Sequence, residues 1–180
     1  MKVRIYAAAI AVGMALPQLT VAQAATSPVA DALRTNEARF ARNLIAAAEE
    51  MPADKYAYKP TPAQMSWADI MAHLAEGNDY LCGSISGVTA PTRAKVPATD
   101  PKDKLVARLK ETFQFCDSAL AKVDDSKLAE HLPFFGGRQF SRAAIILVTV
   151  GDWAVHYSQV ANYLRLNGLL PPTAQRQPTP

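Results

Sequence analysis

Asp152 and His156 stand four residues apart in the last long apolar stretch of the chain, Ser141 to Asn167. Side chains three or four residues apart lie one above the other on a helix. Ile145, Val148, Val160 and Tyr163 repeat at that spacing, which predicts one amphipathic helix with these four on its buried face. Thr149, Asp152, His156 and Gln159 fall along the same face. A carboxylate placed there needs a partner, because burying it alone costs several kcal/mol or forces it to take up a proton. A divalent metal ion would satisfy both Asp152 and His156.

A third ligand is available on another helix. His73 lies mid-helix beside the apolar face of the stretch that begins at Ser66. Taken alone, either histidine reads more readily as a core residue with a hydrogen bond. Together with Asp152 they form a set of two imidazoles and one carboxylate, which suits zinc, nickel, iron or manganese. Three protein ligands leave positions open for water, as catalytic metal sites do. Such an ion lowers the pKa of a bound water to near neutrality. Thr149 and Gln159, a turn either side, would orient ligands or water. The same residues also read as an Asp–His hydrogen-bond network that sets helix register without any ion. His131 follows a glutamate in a loop and reads as a surface residue. Glu49, Glu50 and Glu76 read as solvent-facing, so the carboxylates of a di-iron bundle are missing.

Four helices must position these groups. The first opens at Ser27-Pro28, with Ser27 as cap and Pro28 in the first turn, and carries Val29, Leu33, Phe40, Leu44, Ala47 and Met51 inward before Pro52 stops it. A proline-rich loop follows over 52–65, with Tyr56 and Tyr58 packing on one end of the bundle. Ser66-x-x-Asp69 is a capping box for the second helix, which fades at Gly83. Residues 84–100 form a long connection, and Asp100-Pro101-x-Asp103 opens the third helix. Residues 124–140 are irregular, with a short hairpin expected through Gly136-Gly137. Ser141 caps the fourth helix, which ends at Gly168.

Cys82 closes the second helix and Cys116 lies well past the middle of the third. In an exported chain a cysteine pair is expected to be bridged. A disulfide needs Cα atoms within about 7 Å. Antiparallel neighbours would hold these two far apart, whereas parallel ones bring them level. A connection that can reach about 3.3 Å per residue can run back along a helix that rises about 1.5 Å per residue. Both arguments give an all-α four-helix bundle, up-down-down-up, with a long crossover between helices two and three.

The 180 residues fit one domain. Residues 1–24 read as a secretory signal: Lys2 and Arg4, an apolar run from Ala7 to Leu16, then Ala22-Gln23-Ala24. The competing reading is an uncleaved anchor, although the run is short for a membrane span. The bundle is then 25–172, with a disordered tail over 173–180. Removing the signal discards two of 19 basic residues and none of the 16 acidic ones, which leaves a net charge near +1. There is no basic patch with interleaved aromatics, so nucleic acid is not an expected partner. There is no C-x-x-C, so thioredoxin chemistry lacks its signature.

Two stretches resemble the DinB-like (DinB/YfiT) superfamily. One is Ala47 to Cys82, with its Met-Pro, Tyr and Lys-Pro loop and a following helix that carries His73. The other is Gly151 to Pro172, with His-Tyr-x-Gln, Tyr-Leu-Arg, Asn-Gly and a double proline. The resemblance implies a four-helix bundle with a crossover. It also implies a metal triad of one histidine on helix two and an H-x-x-x-H pair on helix four. His73 and His156 match that triad, and Asp152 stands where the family pattern has the other histidine. Characterised relatives include thiol-dependent transferases and isomerases. The combined expectation is a periplasmic or secreted, divalent-metal-dependent hydrolase or thiol transferase acting on a small molecule, with a homodimer as an option. The alternative is a bundle that binds a metal or ligand and catalyses nothing.

Overall fold

The four apolar stripes become α1 (Pro28–Glu50), α2 (Trp67–Ser86), α3 (Lys102–Leu120) and α4 (Arg142–Leu166) in a computed structural model that describes residues 26–175. Two short strands, β1 (His131–Phe134) and β2 (Arg138–Ser141), precede α4 as an antiparallel hairpin with His131 opposite Ser141. Gly136 and Gly137 turn it at φ of +69° and +73°, values that only glycine adopts without strain. The hairpin lies against α2, where Phe135 stacks on Tyr80 with ring centroids 4.2 Å apart.

Helix directions follow from paired contacts. The Asn78 amide donates to the Thr112 hydroxyl at 3.3 Å, and four residues on in both helices Cys82 is bonded to Cys116 with Cα atoms 5.2 Å apart. Partner numbers rise together, so α2 and α3 are parallel. Arg34 donates to the Leu120 and Val123 carbonyls, while Lys102 donates to those of Glu49 and Met51. These numbers run oppositely, so α1 and α3 are antiparallel. Tyr163 donates to the Met65 carbonyl and Trp153 to the Asn78 amide oxygen, which makes α2 and α4 antiparallel. The result is the up-down-down-up bundle. Its crossover, residues 88–101, is tied down by Arg93, which bridges Asp79 at 2.9 Å and Glu111 at 3.2 Å.

The caps at Ser66 and Ser141 form as expected. Ser66 and Asp69 exchange both capping-box bonds, and Ser141 accepts from the Ala144 N–H at 3.2 Å. The first cap differs. Ser27 makes no side-chain cap to α1; the Asp125 carboxylate accepts from the Val29 and Ala30 N–H groups at 3.0 and 2.9 Å. A full negative charge at the positive helix end is the stronger electrostatic choice. The second helix continues past Gly83 to Ser86 and stops at Gly87, whose φ of +74° makes the left-handed cap. Thr173 and Gln175, expected in the disordered tail, are instead bonded to Tyr157 and Glu50. The expected signal over 1–24 lies outside the described residues, as do 176–180. Among the described residues no helix is long and apolar enough to cross a membrane.

The buried face of α4 keeps Ile145, Val160 and Tyr163 of the expected set and departs from it at Val148. Val148 is 44% exposed, as is Val29 at 39% in the first turn of α1. Ile146, Thr149, Trp153 and His156 are also buried on α4. Successive residues turn by about 100° on a helix, so a core axis through Trp153 places Asp152 on the border between core and solvent.

Candidate metal centre

The antiparallel pairing of α2 and α4 sets His73 across from Asp152 and His156. The pairings Met65–Tyr163 and Asn78–Trp153 bracket the spot. The His156 Nε2 lies 3.4 Å from Asp152 Oδ1, and the His73 Nε2 lies 3.9 Å from the same oxygen. The two imidazole centroids are 4.7 Å apart, and one donor atom from each of the three residues lies within 4.8 Å of the others. Four ligand atoms each about 2.1 Å from one zinc-sized ion in a tetrahedron would stand about 3.4 Å apart. The His156–Asp152 separation matches that value. His73 stands half an ångström wide of it, and as a half-exposed side chain it has room to move.

The ring of His156 is held by its other nitrogen. Nδ1 and the Gln159 carbonyl oxygen are 2.7 Å apart, so Nδ1–H is the donor and Nε2 turns toward Asp152 and His73. A hydrogen bond on one ring nitrogen selects the other for a proton or a metal. Burial works against charge on this ring, but the Asp152 carboxylate and the Gln159 oxygen outweigh it, and the pKa is raised above the ordinary histidine value. His156 is buried, Asp152 is about a quarter exposed and His73 about half. The group therefore opens to solvent on the His73 side rather than sitting in the middle of the bundle.

Gln159 reaches the His156 ring at Nδ1. Thr149 does not: it is fully buried and its hydroxyl donates to the Ile145 carbonyl at 2.8 Å, one turn back on its own helix. His131 is exposed in β1 and stands outside the group. Glu49 and Glu76 are exposed; Glu50 is half-buried and bonds Gln175.

The residue missed by sequence reasoning is Asn78. It is 1% exposed, accepts from the Trp153 indole N–H at 2.8 Å and donates to Thr112, linking α4, α2 and α3. Trp153 is the neighbour of Asp152, so this bond fixes the rotation of α4 and with it the aim of the carboxylate. The signal was present: Asn78 is spaced four after Leu74 and three before Leu81, on the stripe itself.

A crossover bundle with two imidazoles and a carboxylate on facing helices defines a class, the four-helix bundles with a metal-type donor set on one face. The sequence pattern of the DinB superfamily matches residues 18–160, and the chain belongs to that superfamily. A DinB-like protein from Bacillus subtilis is similar in fold, with a TM-score of 0.64 and 19% identity over 81% of this chain and 99% of that one. Another from Bacillus cereus gives 0.66 and 14% identity over 79% and 95%. No curated protein matches the sequence.

Proposed function

We propose that this chain is an exported protein that holds one divalent ion on His73, Asp152 and His156, and that it acts on an electrophilic small molecule as a hydrolase or thiol transferase. One observation carries the reading: three donors from two helices share one spot within 4.8 Å, and the buried imidazole among them has its remaining nitrogen already occupied by Gln159. When bound, such an ion supplies Lewis acidity and a lowered pKa for water or thiol. Imidazole and carboxylate donors admit zinc, nickel, iron or manganese. The protein's own part is to hold the His156 tautomer, to place negative charge at Asp152, and to leave the His73 side open for a substrate. Export is supported by the pattern of residues 1–24 and by the Cys82–Cys116 bridge, which persists in oxidising compartments.

The test is metal content. Purified protein should carry stoichiometric metal, and His73→Ala or His156→Ala should lose it while keeping the helical content. Chelator-sensitive turnover on a panel of thioesters, epoxides and amides would then separate an enzyme from a binding module. The 3.4 Å contact between His156 and Asp152 favours a second reading, an ion-free hydrogen-bond pair. A metal-free protein whose His73→Ala variant is unchanged in stability and in metal content would decide for the second reading.

A further inference from the structure

On the opposite face of the bundle, the seam between α1 and α3 holds a groove of about 410 Å³. Glu37 lines it and is 3% exposed. No described residue donates a hydrogen bond to its carboxyl group, and none forms an ion pair with it. Glutamates are almost never buried this far without a partner. Asp117 on α3 lines the same groove and adds a second acid without an ion-pair partner among the described residues. The apolar part of the lining is Ala38, Ala41, Ile45 and Phe113, and the exposed Gln114 adds one neutral amide. Lys110 is the one cation of the lining, and its ammonium is engaged by Glu49 at 2.6 Å.

The groove has a direction. Because α1 and α3 are antiparallel, Glu37 and Asp117 share one end and Ile45 and Lys110 share the other. Eight residues of helix separate Glu37 from Ile45, about 12 Å. A negative head end therefore leads into an apolar trough. We propose that this groove binds a small organic cation, an alkylammonium compound whose charged nitrogen lies between Glu37 and Asp117 and whose hydrocarbon body lies on Ala41, Ile45 and Phe113. An ammonium supplies donors that no described residue gives the Glu37 carboxylate, and its alkyl chain covers the apolar surface of the groove. An inorganic cation would satisfy the acids but leave the trough open. A neutral or anionic amphiphile would cover the trough and leave Glu37 without a donor. Burial and the nearby Asp117 charge push the Glu37 pKa up to about 7, so the acid reaches its ionised form just above neutral pH.

The site is tested by calorimetry on the full protein at about pH 8, where Glu37 is ionised, with n-hexylamine, hexan-1-ol, hexanoate and calcium as separate probes. Hexylamine should bind saturably and at least about tenfold more tightly than hexanol, the ratio that one charge-assisted hydrogen bond supplies. Glu37→Gln keeps the shape and should erase that preference. Asp117→Asn, at an exposed position, should weaken hexylamine several-fold with the fold intact. Hexylamine that fails to bind overturns the proposal. So does hexanol or hexanoate binding as well as hexylamine, calcium displacing it at equal concentration, or both variants retaining wild-type affinity.

Discussion

Two faces of the bundle each place an acid in the seam of an antiparallel helix pair, and the surroundings give them opposite characters. Between α2 and α4, Asp152 meets two imidazoles within 3.9 Å. Between α1 and α3, Glu37 meets no donor among the described residues, and its pKa rises to about 7. A carboxylate in a seam is thus tuned by what the facing helix presents. Imidazoles make a donor set around Asp152; a second carboxylate and a phenylalanine leave Glu37 holding its proton to neutral pH. Trp153 stands between the two faces. It packs on Phe40 and Phe113 toward the Glu37 face and bonds Asn78 beside the Asp152 face.

The comparison breaks most completely at that residue. Trp153→Ala should cost about 3–5 kcal/mol through the cavity and the stranded Asn78 amide. Denaturant unfolding would show it, and both faces should lose their binding properties together. Reducing the Cys82–Cys116 bond, which closes 34 residues, should cost about 2–4 kcal/mol. Thermal unfolding with and without reductant reads this, and the loss should fall on global stability because the bond touches neither face.

The pH dependence separates the faces. The folded state holds the Glu37 proton more tightly than the unfolded chain does. Its contribution is therefore fully present below about pH 4.5 and lost as pH rises through about 7. Glu37→Gln should remove that part of the slope, so the stability difference between acid and alkaline buffer becomes smaller than in the wild type. His156, also raised, contributes in the same direction in both proteins and cancels from the comparison. The smallest effect is expected at Gln159→Ala. It should leave stability nearly unchanged and weaken metal retention by about tenfold, since a partner on the far ring nitrogen orients the ligand without touching the ion. Competition with a chelator of known affinity measures it.

Much of this arrangement was legible in the chain. The Ser66–Asp69 capping box and the Ser141 cap are local, and local hydrogen bonds need only the right residues a turn apart. The Cys82–Cys116 pair, read with the long connection, was enough to orient α2 and α3. The set His73, Asp152 and His156 was legible because two of its members share a helix face. Val148 was misread because a period of 3.6 residues allows neighbouring choices of axis, and only packing on Trp153 selects one. Asn78 and Glu37 were passed over as single polar positions inside apolar stripes.

The residues by themselves determined which segments coil, where most helices start, and which faces are oily, because these depend on spacings of three and four. The tertiary structure alone decided what lies across each seam. It brought Asp125 to the head of α1 from 96 positions away, turned Gln159 onto the far nitrogen of His156, and left Glu37 without a donor among the described residues. The physical reason is that the cost of a buried charge depends on its neighbours in space, and those neighbours are set only when four helices settle against one another.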